Sequence, residues 1–127
     1  MKTGSCLCGA VTYELHGALR PSMACHCTQC RKTSGHYWSA TQVNTENFIL
    51  TKEDGLKWYR SSDTARRGFC SECGSSMFWQ WDGEGKTSIA TGTLDGPTGL
   101  KTEQHIFVAD KGDYYDIEEG VEQVAQY

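Results

Sequence analysis

Cys25-His26-Cys27-Thr28-Gln29-Cys30 places three cysteines within six residues, and no fourth cysteine lies close to them in the sequence. Three thiolates can hold a zinc ion and leave one tetrahedral position free. A free position is what distinguishes a catalytic zinc from a structural one. The stretch therefore predicts an open metal site formed by Cys25, Cys27 and Cys30.

The other four of the seven cysteines form two pairs that can close a second metal site. Cys6 and Cys8 are two positions apart, so in an extended segment both side chains would project to one face. Cys70 and Cys73 precede a glycine, which permits the backbone conformation of a zinc knuckle. Neither pair completes a tetrahedron alone. We therefore expect the four cysteines to bind one structural zinc that joins the start of the chain to its middle.

Metal binding is favoured over disulfides and over a redox motif. A disulfide framework calls for an even number of cysteines and a secretory leader, whereas seven are present and Met1 to Ser5 contain no apolar segment. A thioredoxin-like motif would precede a helix, but residues 75–81 after Cys73 have the pattern of a strand. Thiolate-only tetrahedral sites favour zinc, with iron as the minor alternative. The sequence predicts two zinc ions per chain.

A fourth protein ligand is the alternative for the three-cysteine site. His26, His36, His105 or an acidic residue would close it and make it a second structural site. Left open, a zinc with three thiolates has a net charge of about −1 and is a weak Lewis acid for making hydroxide. It is better suited to an incoming thiol, which loses its proton on coordination and becomes a nucleophile toward a small carbonyl.

Length, composition and charge limit the possible classes of protein. A chain of 127 residues is of ordinary size for one domain, which we assign to residues 1–127. Hydrophobic residues make up 38% of the chain, so the core is modest and gains from metal binding. A net charge of −4 argues against nucleic-acid binding, and no apolar run approaches the roughly 20 residues that span a bilayer. Reduced cysteines without a leader predict a cytoplasmic location.

The hydrophobic periodicity is mostly two, which predicts an all-β domain with frequent turns. Asp54-Gly55 predicts a tight hairpin between two of the strands. A further turn is expected at residues 82–86 and a short helix at 28–34, and the segment from Gly120 is a second candidate for a helix. Strands are predicted at residues 10–15, 36–43, 47–52, 56–60, 65–69, 76–81, 87–91, 102–108 and 113–117.

These motifs resemble the glutathione-dependent formaldehyde-activating enzymes, a family also called the CENP-V/GFA domain. All seven cysteines match in order and spacing, and the resemblance covers residues 4–13, 25–35, 67–75, 92–95 and 105–107. It implies a β-tent fold of several coiled antiparallel sheets, with a four-cysteine structural zinc and a three-cysteine catalytic zinc. It also implies a carbon–sulfur lyase that adds the glutathione thiol reversibly to formaldehyde, giving S-hydroxymethylglutathione.

Three further residues are candidates for substrate binding. The guanidinium groups of Arg31 and Arg67 can form charge-assisted hydrogen bonds with thiolates or with the carboxylates of glutathione. His105 can move a proton at the carbonyl oxygen, although a structural histidine is the alternative. The partners expected are thus a small thiol and a small aldehyde. The alternatives to an enzyme are a zinc-stapled module that binds a protein partner and a zinc or thiol sensor.

Overall fold

The structure is a computed structural model, and it describes residues 1–83 and 85–127. Within these ranges the chain forms β-strands, one α-helix and short 3₁₀ helices. The strands are β1 (Lys2–Ser5), β2 (Thr12–Leu15), β3 (Ser22–Cys25), β4 (Trp38–Asn44), β5 (Phe48–Lys52), β6 (Leu56–Arg60), β7 (Ala65–Cys70), β8 (Ser76–Trp81), β9 (Lys86–Ala90), β10 (Thr102–Ile106) and β11 (Glu122–Gln123). The α-helix, α1, spans Thr28–Ser34, and the 3₁₀ helices are Thr45–Asn47, Thr91–Thr93 and Val108–Asp110. None of the helices in the described ranges is both long enough and apolar enough to cross a bilayer.

The strands form two sheets, so the predicted mostly-β fold is confirmed. A three-stranded antiparallel sheet has the order β1-β2-β5. An eight-stranded sheet has the order β11-β10-β3-β4-β9-β8-β7-β6. Its pairs are antiparallel except that β10 runs parallel to both β3 and β11.

The two faces of the larger sheet have different roles because successive side chains on a strand point to opposite faces. One face joins the three-stranded sheet in the main core. The buried side chains of this core include Tyr13, Leu15, Val43, Phe78 and Ile89. The rings of Tyr13, from the small sheet, and Phe78, from the large one, lie 5.4 Å apart edge to face. The other face carries Trp38, Ala40 and Trp79 in a second cluster, next to the three closely spaced cysteines.

The prediction of a hairpin at Asp54-Gly55 is wrong. β5 pairs with β2 in the small sheet, whereas β6 pairs with β7 at the edge of the large one. Gly55 does not have the positive φ that a type I′ turn requires, and its N–H donates to the carbonyl of Ala10 at 3.1 Å. The chain therefore crosses from one sheet to the other at this glycine.

The C-terminal predictions also need correction. Residues 113–117 are not a strand, because this segment is held by side-chain contacts such as that of Tyr115 with His26. The segment after Gly120 forms the short strand β11 in place of the helix considered from the sequence. The turn predicted at residues 82–86 includes Glu84, which lies outside the described residues. β8 and β9 on either side of it pair antiparallel.

Candidate metal centre and adjoining cavity

The three closely spaced cysteines are brought together by the junction of β3 and α1. Cys25 ends β3, Cys27 is the N-cap residue of α1, and Cys30 lies in the first turn. Cys27 has an extended backbone, with φ −62° and ψ 158°, and its Sγ accepts the N–H of Cys30 at 3.3 Å. The helix ends at Gly35, whose φ of 81° suits the left-handed cap that glycine adopts readily. All three Sγ atoms lie within 4.8 Å of one another.

The other four cysteines meet where the two sheets join. Cys6 and Cys8 lie in the connection between β1 and β2, Cys70 ends β7, and Cys73 lies in the turn before β8. Their Sγ atoms are within 4.8 Å of one another, with Cys8 3.7 Å from both Cys6 and Cys70. Zinc–sulfur bonds of about 2.3 Å at tetrahedral angles separate two sulfurs by about 3.8 Å. The spacing of these four sulfurs therefore fits a tetrahedral metal.

The segment that carries Cys6 and Cys8 is a turn and not the extended segment expected from the sequence. Gly9 follows with a φ of 81°, and its N–H points to the carbonyl of Cys6 at 3.4 Å. Gly74 has the same φ after Cys73, and its N–H donates to the carbonyl of Cys70 at 2.7 Å. Both cysteine pairs thus use a glycine in the left-handed region to turn two sulfurs toward one point.

The surroundings of the sulfurs favour the thiolate form at several positions. Hydrogen bonds from the side chain and then the backbone of Ser75 lower the pKa of the Cys73 thiol to about 5. The contact with Cys25 lowers the pKa of the Cys27 thiol far below its usual value, and the same contact raises the pKa of Cys25. Sulfurs this close cannot all ionise unless a cation lies among them. The donor set of each cluster therefore fits a thiophilic divalent ion such as zinc.

The histidines do not complete the three-cysteine cluster. Among the described residues, the group of potential ligands at this site contains Cys25, Cys27 and Cys30 without a histidine or a carboxylate. His26 is fully buried and contacts the hydroxyl of Tyr115 and, at 2.8 Å, Nδ1 of His105. Burial, with a smaller effect of His105, lowers the pKa of His26 to about 4, so its ring is neutral at neutral pH.

The three substrate-binding candidates occupy different environments. Arg67 on β7 is only 6% exposed, and it donates from Nη2 to Cys30 Sγ at 3.2 Å and from Nε to Gln29 Oε1 at 2.7 Å. His105 is fully buried, bonds Glu118 Oε1 at 2.9 Å, and does not line the cavity described below. Arg31 does not line it either. Gln29, which orients Arg67, was not singled out from the sequence, where a glutamine between two cysteines gives no chemical signal.

A cavity of about 630 Å³ adjoins the three-cysteine cluster. Cys25, Cys27 and Cys30 line it together with Arg67, and three tryptophans are also part of its wall: Trp38, Trp79 and Trp81. The alternation of Trp79 and Trp81 on one strand is a weak sequence signal for this wall. The fourth tryptophan, Trp58, packs near Phe78 outside the cavity.

The fold and the site together define a class of protein: a mostly β domain with two cysteine clusters suited to binding metal, one of which opens onto a cavity. The chain belongs to the family described as glutathione-dependent formaldehyde-activating enzyme, because that family's model matches residues 1–110. An uncharacterized lyase from Schizosaccharomyces pombe is 25% identical over 115 residues, which cover 90% of this chain and 83% of that protein. A crystal structure of a Rhodobacter sphaeroides protein has the same fold, with a TM-score of 0.61 at 24% identity, over 76% of this chain and 90% of that one.

Proposed function

We propose that this protein is a zinc-dependent carbon–sulfur lyase that activates a thiol for reversible addition to formaldehyde or a similar small aldehyde. Glutathione is the first candidate for the thiol. The observation that carries the proposal is the cluster of Cys25, Cys27 and Cys30, which faces a cavity and lacks a fourth ligand among the described residues. Family membership and the lyase name of the Schizosaccharomyces pombe relative support the reaction class.

The reaction forms one bond and moves one proton. The thiol sulfur adds to the carbonyl carbon, the C=O double bond becomes a C–O single bond, and the thiol proton passes to that oxygen. Cys25, Cys27 and Cys30 would hold a zinc ion, which would lower the pKa of an entering thiol. The reverse reaction returns the thiol and the aldehyde.

The residues of the chain prepare this chemistry in two ways. Arg67 places a guanidinium against Cys30 Sγ and is fixed there by Gln29, so the negative charge of a thiolate cluster meets a permanent cation. The tryptophan side chains beside the cysteines give the cavity a partly apolar wall, and electrostatic contacts are stronger in apolar surroundings. The cluster formed by Cys6, Cys8, Cys70 and Cys73 serves as the structural zinc site in this proposal.

The remaining parts of the proposal concern the protein as a whole. Residues 1–127 act as one domain that binds two zinc ions and has no nucleic-acid partner. Seven cysteines without a disulfide among them are typical of a reducing compartment, so the proposal places the protein in the cytoplasm.

Exchange spectroscopy by NMR tests the proposal, because it measures how fast formaldehyde and glutathione interconvert with their adduct. Zinc-loaded protein is expected to raise the exchange rate above the uncatalysed rate in a saturable manner. Cys27→Ser is expected to return it to near background. Lys32→Ala, on the exposed side of the same helix, serves as the control and should retain the acceleration. If fully loaded protein accelerates nothing with several thiols and aldehydes, the enzyme proposal fails and a binding module is favoured.

A further inference from the structure

The side chain of His26 lies on the opposite side of its segment from the two cysteines that flank it. Cys25 and Cys27 line the cavity, and His26 does not. Successive side chains of an extended segment point to opposite sides, and Cys27 has an extended backbone with φ −62° and ψ 158°. His26 is fully buried, although it is polar. Burial of an imidazole is costly unless its nitrogens are hydrogen-bonded.

Both ring nitrogens of His26 take part in a hydrogen-bonded network, the histidine network, which consists of Tyr115, His26, His105 and Glu118. Nε2 of His26 lies 2.8 Å from Nδ1 of His105, and Nε2 of His105 lies 2.9 Å from Oε1 of Glu118. Nδ1 of His26 bonds the hydroxyl of Tyr115. With one proton on each ring, the donors run in one direction: Tyr115 donates to His26, His26 to His105, and His105 to the carboxylate. All four ring nitrogens then have a partner, so neither imidazole is available as a metal ligand.

The backbone and the ring faces of His26 are held as well. Its N–H donates to the carbonyl of Ile106 at 3.0 Å, and Ile106 pairs with Cys25 where β3 runs parallel to β10. The His26 ring packs against the ring of Tyr37, with centroids 4.9 Å apart, and stacks on the ring of Tyr115 at 5.4 Å. The two flanking cysteines are therefore attached to a residue whose side chain has little freedom to turn.

A metal site with three protein ligands depends more on such support than a site with four. With one ligand fewer, less binding energy is available to order the segment that carries the sulfurs. On the basis of the metal site in the proposed function, but independently of its reaction, we propose that His26 is a positioning residue of the three-cysteine site. The histidine network holds Cys25 and Cys27 with their sulfurs toward the cavity, and it keeps both buried imidazoles out of the set of metal ligands.

Removal of one hydroxyl tests the network with little other change. Tyr115→Phe keeps the ring but leaves Nδ1 of the buried His26 without its partner, which is costly. Competition with a chromophoric chelator, on the zinc-loaded full chain, gives the zinc affinity of each cysteine cluster. Residues that support metal ligands typically change metal affinity by about 10–100-fold when mutated. Tyr115→Phe is therefore expected to weaken zinc binding at the three-cysteine cluster by about tenfold and to leave the four-cysteine cluster unchanged.

Tyr114→Phe is the matched control and should leave both zinc affinities unchanged. Tyr114 is 54% exposed and, among the described residues, its ring contacts those of His36 and Tyr115 but not that of His26. Equal losses in the two tyrosine variants, or equal weakening of the two clusters by Tyr115→Phe, would overturn the inference.

Substitution of His26 itself separates hydrogen bonding from packing. His26→Gln, whose amide can still bond His105, is expected to retain more zinc affinity at the three-cysteine cluster than His26→Ala. Equal losses in these two variants would overturn the role of the hydrogen bonds. Thermal unfolding checks that each variant folds, and Tyr115→Phe decides the case if a His26 variant does not.

The outcomes separate this inference from the proposed function, because zinc affinity is measured without turnover. If Tyr115→Phe leaves the affinity unchanged while wild type accelerates the exchange of formaldehyde with glutathione, the inference fails and the lyase proposal stands. If the affinity falls as expected but wild type accelerates no reaction, the inference stands and the lyase proposal fails. If the three-cysteine cluster of wild type binds no zinc, both fail.

Discussion

Arg67 is the residue that joins the large sheet to the three-cysteine cluster. Its guanidinium makes two contacts at once, with Cys30 Sγ and with Gln29 Oε1. Lysine has a single ammonium group at the end of a flexible stem and cannot reproduce the planar pair of donors. A group that hydrogen-bonds a metal ligand typically changes metal affinity by about 10–100-fold when it is mutated. Arg67→Lys is therefore expected to weaken zinc binding at the three-cysteine site by about tenfold or more.

Competition with a chromophoric chelator measures the zinc affinity of each cysteine cluster. Arg66→Lys is the matched control, because Arg66 lies over the ring of Trp58 at 3.9 Å and bonds Gln80, away from both clusters. The control should leave both affinities unchanged. Equal weakening by both variants would show that the effect of Arg67→Lys does not come from its hydrogen bonds to Cys30 and Gln29.

At the scale of elements, α1 and the β7–β8 pair follow from signals that are local in the sequence. The predicted helix at residues 28–34 agrees with Thr28–Ser34, because its cap at Cys27 and its terminal glycine lie within one short stretch. The strands around Cys70 and Cys73 pair as expected from the turn between them. The hairpin at Asp54-Gly55 failed because strand pairing is decided by partners distant in the chain, here β2 for β5 and β7 for β6.

The candidate site also has parts that local sequence signals predict and parts that depend on contacts between distant residues. Spacing alone was enough to group the cysteines into three and four, since ligands of one metal come from short motifs. The cavity wall was not predictable, because Trp38 and Trp79 come from β4 and β8, which are brought onto one face by β9 between them. The burial of His105 could not be predicted from the sequence either, since it depends on the contact with His26, which lies 79 residues earlier in the chain.

Gly35 allows a test of how far the short helix α1 depends on its C-terminal cap. A Cβ at this position would meet no atom within 4 Å, so the cost of Gly35→Ala comes from the positive φ alone. We expect a loss of about 1 kcal/mol in the free energy of unfolding, as for other residues forced into the left-handed region. Gly92→Ala is the control, because that glycine also has open space around it but no positive φ. Chemical denaturation measures both, and an equal effect of the two substitutions would contradict this account.

At the scale of the whole molecule, the two cysteine clusters connect very different lengths of chain. Cys25, Cys27 and Cys30 are joined by six residues of continuous sequence, so a metal there closes only a short loop. Cys8 and Cys70 are 62 positions apart, and their cluster links the small sheet to the large one. The conformational freedom removed from the unfolded chain grows with loop length. A metal at the four-cysteine cluster is therefore expected to contribute far more to the stability of the fold.

Two single substitutions test this difference between the clusters. Cys27→Ser is expected to reduce the zinc content from two ions towards one, with the fold retained, since β3 stays paired with β4 and β10. Cys73→Ser is expected to lower Tm by on the order of 10 °C or more, or to abolish cooperative unfolding, because the binding energy of a structural zinc is also folding energy. Metal analysis and thermal unfolding of both variants provide the comparison. Equal collapse of both would mean that the three-cysteine site is also structural, and the reaction proposed for it would then lose its open metal position.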